Sequence, residues 1–188
     1  RKGTQTFEVN DDFLWIIGMF IAEGSSTKNK IQFAISKNEI EYADRLECFF
    51  NKHNFGYHWR KDIDSYGGRV LIVGSRMLAE WLGDWVGRGC SNKQIPSELL
   101  NLPNNKIESL ARGILDGDGC FSRNVLHQTS SILALQMSEI SLRLGGFPSI
   151  SVKHPKNKRV AYVLEGADAL IPRTSIKRGF WKHKEHTL

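Results

Sequence analysis

Cysteine is scarce in this chain of 188 residues: Cys48, Cys90 and Cys120 are odd in number and far apart, with no C-x-x-C pair and no Cys/His ladder. That excludes a disulfide scaffold and a structural zinc site, and it implies an intracellular, reducing setting. His183 and His186 have no Cys or carboxylate near them in a ligating pattern and read as tail histidines. Long apolar runs are missing too. The longest, Phe13 to Ala22, is ten residues and stops at Glu23, so no membrane span or signal peptide is expected. The chain begins with Arg1 rather than Met, as expected for a fragment, an excised segment or a trimmed chain.

What is present is a 40% hydrophobic content, enough for a real core, and a charge that is unevenly placed. Residues 1–149 carry 17 basic and 17 acidic side chains, whereas residues 150–188 carry 9 and 3, so the whole net charge of +6 lies at the C-terminal end. Charge concentrated in this way suits a polyanion, with nucleic acid first and an anionic membrane surface second.

The chain also repeats itself. Residues Phe13 to Gly24 align with Glu108 to Gly119 at an offset of 95; both are apolar stretches of helical length with small residues four apart, and both end in an acid followed by Gly. After the first comes Lys30 to Ser36 with strand alternation, a helical pattern over Glu39 to His53, strands over Tyr57 to Lys61 and Arg69 to Val73, and a helix from Ser75 to Val86. The second is followed by the same order: a strand near Ser122 to Gln128, a helix from Ser131 to Leu144, strands near Ser149 to Lys153 and Arg159 to Leu164, and a short helix from Ala167. The fold class expected is α+β, with two pseudo-symmetric α-β-α-β-β-α units over residues 10–95 and 106–180. The connector is the stretch from Cys90 to Asn105, with 96–105 outside both units, and a basic tail over 181–188 follows.

Gly18 with Ala22, and Gly113 with Gly117, give each apolar helix a smooth face on which two backbones can nearly touch. A glycine inside a helix costs about 1 kcal/mol relative to alanine, which close packing of the two helices would offset. Each helix then ends in a carboxylate, Glu23 or Asp118, where the helix dipole is already negative and where the two acids would repel each other. A divalent cation is the natural neutraliser, held by those acids and by exposed carbonyl oxygens, with those of Ala22 and Gly117 one residue before each acid.

Gly113-Ile114-Leu115-Asp116-Gly117-Asp118-Gly119 and the looser Gly18-Met19-Phe20-Ile21-Ala22-Glu23-Gly24 resemble the paired signature helices of LAGLIDADG homing endonucleases. The resemblance runs from about residue 10 to 180, and Asn92-Lys93-Gln94-Ile95-Pro96 is similar to a segment of endonuclease domains embedded in inteins. It implies signature helices packed on a pseudo-twofold axis and a curved antiparallel sheet per unit in the DNA major groove. It also implies a monomer that cuts both strands of a long asymmetric site, leaving 3′ overhangs, in the service of intron or intein mobility. The cofactor implied is Mg2+ or Mn2+, with Ca2+ binding but not supporting cleavage. The metal-binding and catalytic acids become Glu23 and Asp118; Asp116, facing Ile21 in the alignment, is not counted. Lys93 and Lys177 are the lysines expected near them, able to activate water or stabilise the phosphate. Gln128 is expected beside the metal water, with Ser36 as its partner in the first unit and Lys37 following.

A sheet that reads DNA needs long polar side chains on its open face. Lys28, Lys30, Gln32, Arg60, Lys61 and Arg69 in the first unit, and Arg123, Asn124, Lys153, Lys158 and Arg159 in the second, meet that description. Trp15, Trp81 and Trp85 read as core. The same resemblance includes proteins that only bind, as intron-RNA maturases or transcription regulators. Loss of an acid would mark such a protein, and both acids are present. Arg1 and Thr187-Leu188 do not match the ends of a self-splicing intein, so the chain alone is not expected to splice.

Overall fold

A computed structural model describes residues 6–61, 68–120, 125–156 and 159–166. The first unit runs α1 (Asp11–Glu23), β1 (Gly24–Ser26), β2 (Ile31–Ser36), α2 (Ile40–Lys52), β3 (Tyr57–Lys61), β4 (Gly68–Val73) and α3 (Arg76–Val86). A 3-10 turn (Cys90–Asn92) and α4 (Ser97–Leu100) lead to the second: α5 (Asn104–Asp118), β5 (Gly119–Cys120), β6 (Val125–Gln128), α6 (Ser131–Arg143), β7 (Ser149–Lys153) and β8 (Ala161–Glu165). The strands form two antiparallel four-stranded sheets of the same order, β1-β2-β4-β3 and β5-β6-β8-β7. The α+β class and the duplication are therefore as the sequence indicates.

Every residue of α1 from Phe13 to Ile21 is buried. A helix that is apolar all round must lie at the centre of the fold, and α1 does so against α5. Its start is set by Asn10, whose side-chain oxygen accepts from the Phe13 amide at 3.0 Å, and by Asp11 and Asp12 in the first turn. The crossing point is Gly18 on Gly113. A methyl group on Gly113 would collide with the Trp15 carbonyl oxygen and lie 3.0 Å from Gly18 Cα; one on Gly18 would collide with the Leu110 carbonyl and lie 2.9 Å from Gly113 Cα. Because the obstacle is backbone, it cannot swing aside. Gly113→Ala is expected to cost about 3 kcal/mol through overpacking, lowering the melting temperature by about 10 °C; an unchanged melting curve would show that the helices do not approach this closely.

One correction concerns local structure. The expected α-β-α-β-β-α order lacks β1 and β5, which leave each signature helix without a loop. Gly24 and Gly119 are extended (φ −80° and −76°), and their amides donate back to the Phe20 and Leu115 carbonyls. Strands of three and two residues are too short to show alternation. The connector is tied to the second unit: the Gln136 side chain bonds both the amide and the carbonyl of Ile95 at 2.8 and 2.9 Å, and Arg143 donates to the Leu102 carbonyl at 2.7 Å and to that of Leu100. The expected final helix from Ala167 and the basic tail lie outside the described residues. Trp15 is core, but Trp81 and Trp85 are half-buried; Trp81 stacks with both Phe7 and Trp85 along an apolar cleft of about 500 Å³.

Candidate metal and nucleic-acid site

Since α1 and α5 run side by side from their glycine crossing, their C-terminal acids arrive together. Ala22 Cβ and Glu23 Cγ lie directly against Gly117. Burial, then the nearby Asp118 and Glu39, push the Glu23 carboxyl up to about 7, with Lys93 pulling the other way. Asp118 is also raised by burial, against a hydrogen bond from Gln128 and the charge of Lys93. Two acids in a low-dielectric site, each made harder to ionise, form a place that favours an added cation.

Part of that positive charge is supplied by the chain itself. Lys93, 7% exposed, reaches from the connector and spends its three donors on the C-terminal carbonyls of α1 and the start of β1: Phe20 at 2.9 Å, Ala22 at 3.3 Å and Gly24 at 2.6 Å. It thereby adds a charged donor at the C-terminal end of α1, where the Phe20 carbonyl also accepts from the Gly24 amide. Burial lowers its ammonium to about 8, with Asp118 and Glu23 opposing that fall. The structure brings Lys93 to the acids but leaves it no free proton donor; its effect there is that of a fixed positive charge. Lys177 lies outside the described residues.

Gln128 lies beside an acid, its amide nitrogen donating to Asp118 Oδ2 at 2.7 Å from a 6% exposed side chain. Its expected partner, Ser36, is corrected to Ile35. Gly24 pairs with Phe33 while the equivalent Gly119 pairs with Leu126, because the β1–β2 hairpin is two residues longer than β5–β6. Counting two on from each places Ile35 where Gln128 stands, and Arg69 where Tyr162 stands across the ladder. Ser36 is exposed, one residue past that position.

Asp116 has a different task, which the sequence signalled only by its mismatch with Ile21. It is 7% exposed and receives Trp15 Nε1 from α1 at 2.8 Å and Arg112 Nε at 2.7 Å, and Tyr42 of α2 hydrogen-bonds to it as well. Burial raises its carboxyl and these three partners lower it. This is a buried polar pin between helices, two residues from Asp118.

The proposed DNA-reading residues divide by strand parity. Gln32 and the exposed His58 and Arg60 point away from the helices, around Val70 and Ile72. Lys28 is exposed at the β1–β2 hairpin tip, Lys30 is half-buried just before β2, and Lys37 is exposed just after it. In the second unit Lys153 lies on the corresponding open face, paired with Ala161. Two candidates are corrected. Arg69 pairs with Ile35 and so faces the helices, its guanidinium 4.6 Å from the centre of the Trp59 ring. Arg159 precedes β8, which starts only at Ala161, and it donates to the Cys90 sulfur in the connector. Lys61 shares the parity of Arg69; its side chain, together with Arg123, Asn124 and Lys158, lies outside what is described. His58 and His127 also occupy open-face positions, set by strand parity rather than by side-chain length or charge.

Among the described residues there is no cluster of three or more His, Cys, Asp or Glu side chains able to hold a metal, and none of the three cysteines is in a disulfide. None of their helices is long and apolar enough to cross a membrane.

No protein-family model matches the chain. Its sequence is 33% identical over 161 residues to the uncharacterised protein MJ0043 of Methanocaldococcus jannaschii and 31% identical over 162 residues to the ATP-dependent DNA helicase Hel308 of Thermococcus kodakarensis. It is 30% identical over 151 residues to the RNA polymerase subunit Rpo1C of M. jannaschii. These alignments take in 83%, 80% and 76% of this chain but only 20%, 14% and 16% of those proteins, so the chain spans a fifth or less of their length. In structure it is similar to mesophilic variants of the homing endonuclease I-DmoI (TM-score 0.63, 12% identity, 86% of this chain and 92% of that one). I-DmoI bound to DNA and Mn is also similar (0.61, 12%, 87% and 94%), as is full-length DUF199/WhiA of Thermatoga maritima (0.53, 10%, 99% and 65%). At such identities the likeness is one of fold, carried by the two sheets and six helices of the described residues.

Proposed function

We propose that this chain is a LAGLIDADG-type DNA endonuclease that cuts both strands of a long asymmetric duplex with a divalent metal, leaving 3′ overhangs. The observation that carries this reading is the convergence of Glu23 and Asp118, from two copies of one unit, at the ends of helices in backbone contact. The donor set fits the ion: two carboxylates and the Ala22 and Gly117 carbonyls are hard oxygen ligands, suited to Mg2+ or Mn2+ with DNA phosphate oxygens and water filling the remaining positions. When bound, the metal supplies Lewis acidity and a more acidic water. The chain's own groups hold the duplex and place the water. In the reaction a water oxygen bonds to phosphorus, one P–O ester bond breaks, and the proton ends on the departing sugar oxygen. Lys93 contributes positive charge to this site, Lys177 is its proposed counterpart, and Gln128 orients Asp118. Lys28, Lys30, Gln32, Lys37, Arg60 and Lys153 make base and phosphate contacts across the open sheet faces.

With both units in one chain, the protein acts as a monomer. Similar segments within proteins named as a helicase and a polymerase subunit are what a mobile insertion would produce, and this favours an intein-type host. Purified protein incubated with a plasmid library is expected to cut at one defined site in Mg2+ and not in EDTA, and to bind but not cut in Ca2+. Binding of intron RNA with no DNA cleavage under any divalent ion would overturn the reading in favour of a maturase.

A further inference from the structure

The apolar cleft of about 500 Å³ lies at the N-terminal end of α1, opposite to the end that carries Glu23. Part of its lining is a stack of rings: Phe7 on Trp81, with centroids 5.6 Å apart and planes within 8°, and Trp81 on Trp85, at 5.2 Å and 21°. Met77, 42% exposed, shares that face of α3, and Leu102 of the connector also lines the cleft. Glu98 is the one charged residue among the described lining residues; it is exposed and accepts from the Ser97 hydroxyl at 3.3 Å. A hollow of aromatic rings left open to water forgoes the burial that such rings otherwise supply, so it calls for a convex apolar occupant. Two-fold pairing with a second copy would set one hollow against another, which fills neither.

The course of the chain indicates the occupant. Arg143, at the end of α6, donates to the Leu102 carbonyl at 2.7 Å. Phe147 follows by a short turn, and a methyl group on Gly166 would lie 3.5 Å from the Phe147 carbonyl oxygen. Residues 167–188 therefore set out from a point joined to the cleft lining through one side chain and one turn. The 13 residues from Ala167 to Gly179 can span up to about 43 Å, and Phe180-Trp181 come next. No other stretch outside the described residues has two adjacent aromatics. Residues 167–188 also carry five basic and two acidic side chains, opposite in sign to Glu98. We infer that Phe180 and Trp181 of this same chain fill the cleft, one ring extending the Phe7–Trp81–Trp85 stack and Lys182 facing Glu98. The C-terminal segment then clasps the second unit to the start of the first, a role independent of DNA cutting.

The test uses the full chain with isotope-labelled methionine methyl groups, followed by NMR. The three methionines are Met77 in the cleft and Met19 and Met137, which are fully buried elsewhere and report on the fold. Phe180→Ala combined with Trp181→Ala should move the Met77 signal, leave the other two in place, and lower the melting temperature by about 5 °C. Trp181→Phe, which keeps a ring, should recover most of both effects. Lys182→Glu should move the Met77 signal part of the way, and Glu98→Lys in that background should return it. A Met77 signal indifferent to the two alanines would overturn the inference, and so would all three signals moving alike. A Met77 signal that changes on dilution of the unaltered protein would also overturn it, since the ring would then come from a second copy. No readout involves cleavage, so a failure of the nuclease reading leaves this test standing.

Discussion

Glu23→Gln or Asp118→Asn is expected to reduce metal-dependent DNA cutting by about a thousand-fold or more, with duplex binding in Ca2+ held within about tenfold. Each substitution keeps the size of the side chain and removes the charge proposed to hold the ion, so the loss should fall on the chemical step. The same substitution should make the metal-free protein more stable. The Glu23 carboxyl sits at about 7, against an ordinary value of 4.5, chiefly through burial and then through Asp118. An acid whose folded value is raised binds more protons in the native state than in the unfolded chain between those two pH values, so stability falls as pH rises through that window and the deficit persists above about 7. After allowance for its partial exposure this amounts to roughly 2 kcal/mol. In EDTA at pH 8, Glu23→Gln should melt about 5 °C above the unaltered protein, and the two should coincide near pH 4. A variant that loses activity and stability together at pH 8 would show that Glu23 is held by favourable contacts rather than strained against Asp118.

The opposition of activity and stability at one residue explains why the sequence was informative at this place. An acid beside a glycine at the end of an apolar helix breaks a local rule, and the duplication breaks it twice, so Glu23 and Asp118 stood out without any coordinates. The helix crossing was equally legible, because only small side chains permit backbone contact and Gly18 and Gly113 are spaced for it. What could not be read was whatever depends on counting across a ladder. The two extra residues of the β1–β2 hairpin shift the equivalence of β2 and β6 by two, which put Ser36 in place of Ile35 as the counterpart of Gln128. Residue type alone puts Arg69 among the DNA-reading cations, but its pairing with Ile35 turns it towards the helices. Asp116 gave no periodic signal, because its partners Trp15 and Tyr42 come from other helices, 101 residues away in the first case.

Lys93 is the residue whose loss should do most damage to the fold. Replacing one member of a buried charged set is far more costly than replacing all of it, since the partners remain buried without their counter-charge. Lys93→Met keeps the aliphatic stem but strips the Phe20, Ala22 and Gly24 carbonyls of a donor and leaves two acids facing each other. The expected cost is about 4 kcal/mol, seen as a fall of about 10–15 °C in the melting temperature in EDTA. Two further measurements separate the charge from the hydrogen bonds. If repulsion between the acids dominates, Glu23→Gln in the Lys93→Met background should recover about half of the loss, because the residual negative charge is then single. If the carbonyls dominate, the double variant should melt where Lys93→Met does. The closeness of Asp118 and Glu23 to the ammonium, each holding its proton against the pull of burial, makes the first outcome the expected one. Mn2+ in the millimolar range should then raise the melting temperature of Lys93→Met more than that of the unaltered protein, since only the variant lacks a cation at the helix ends.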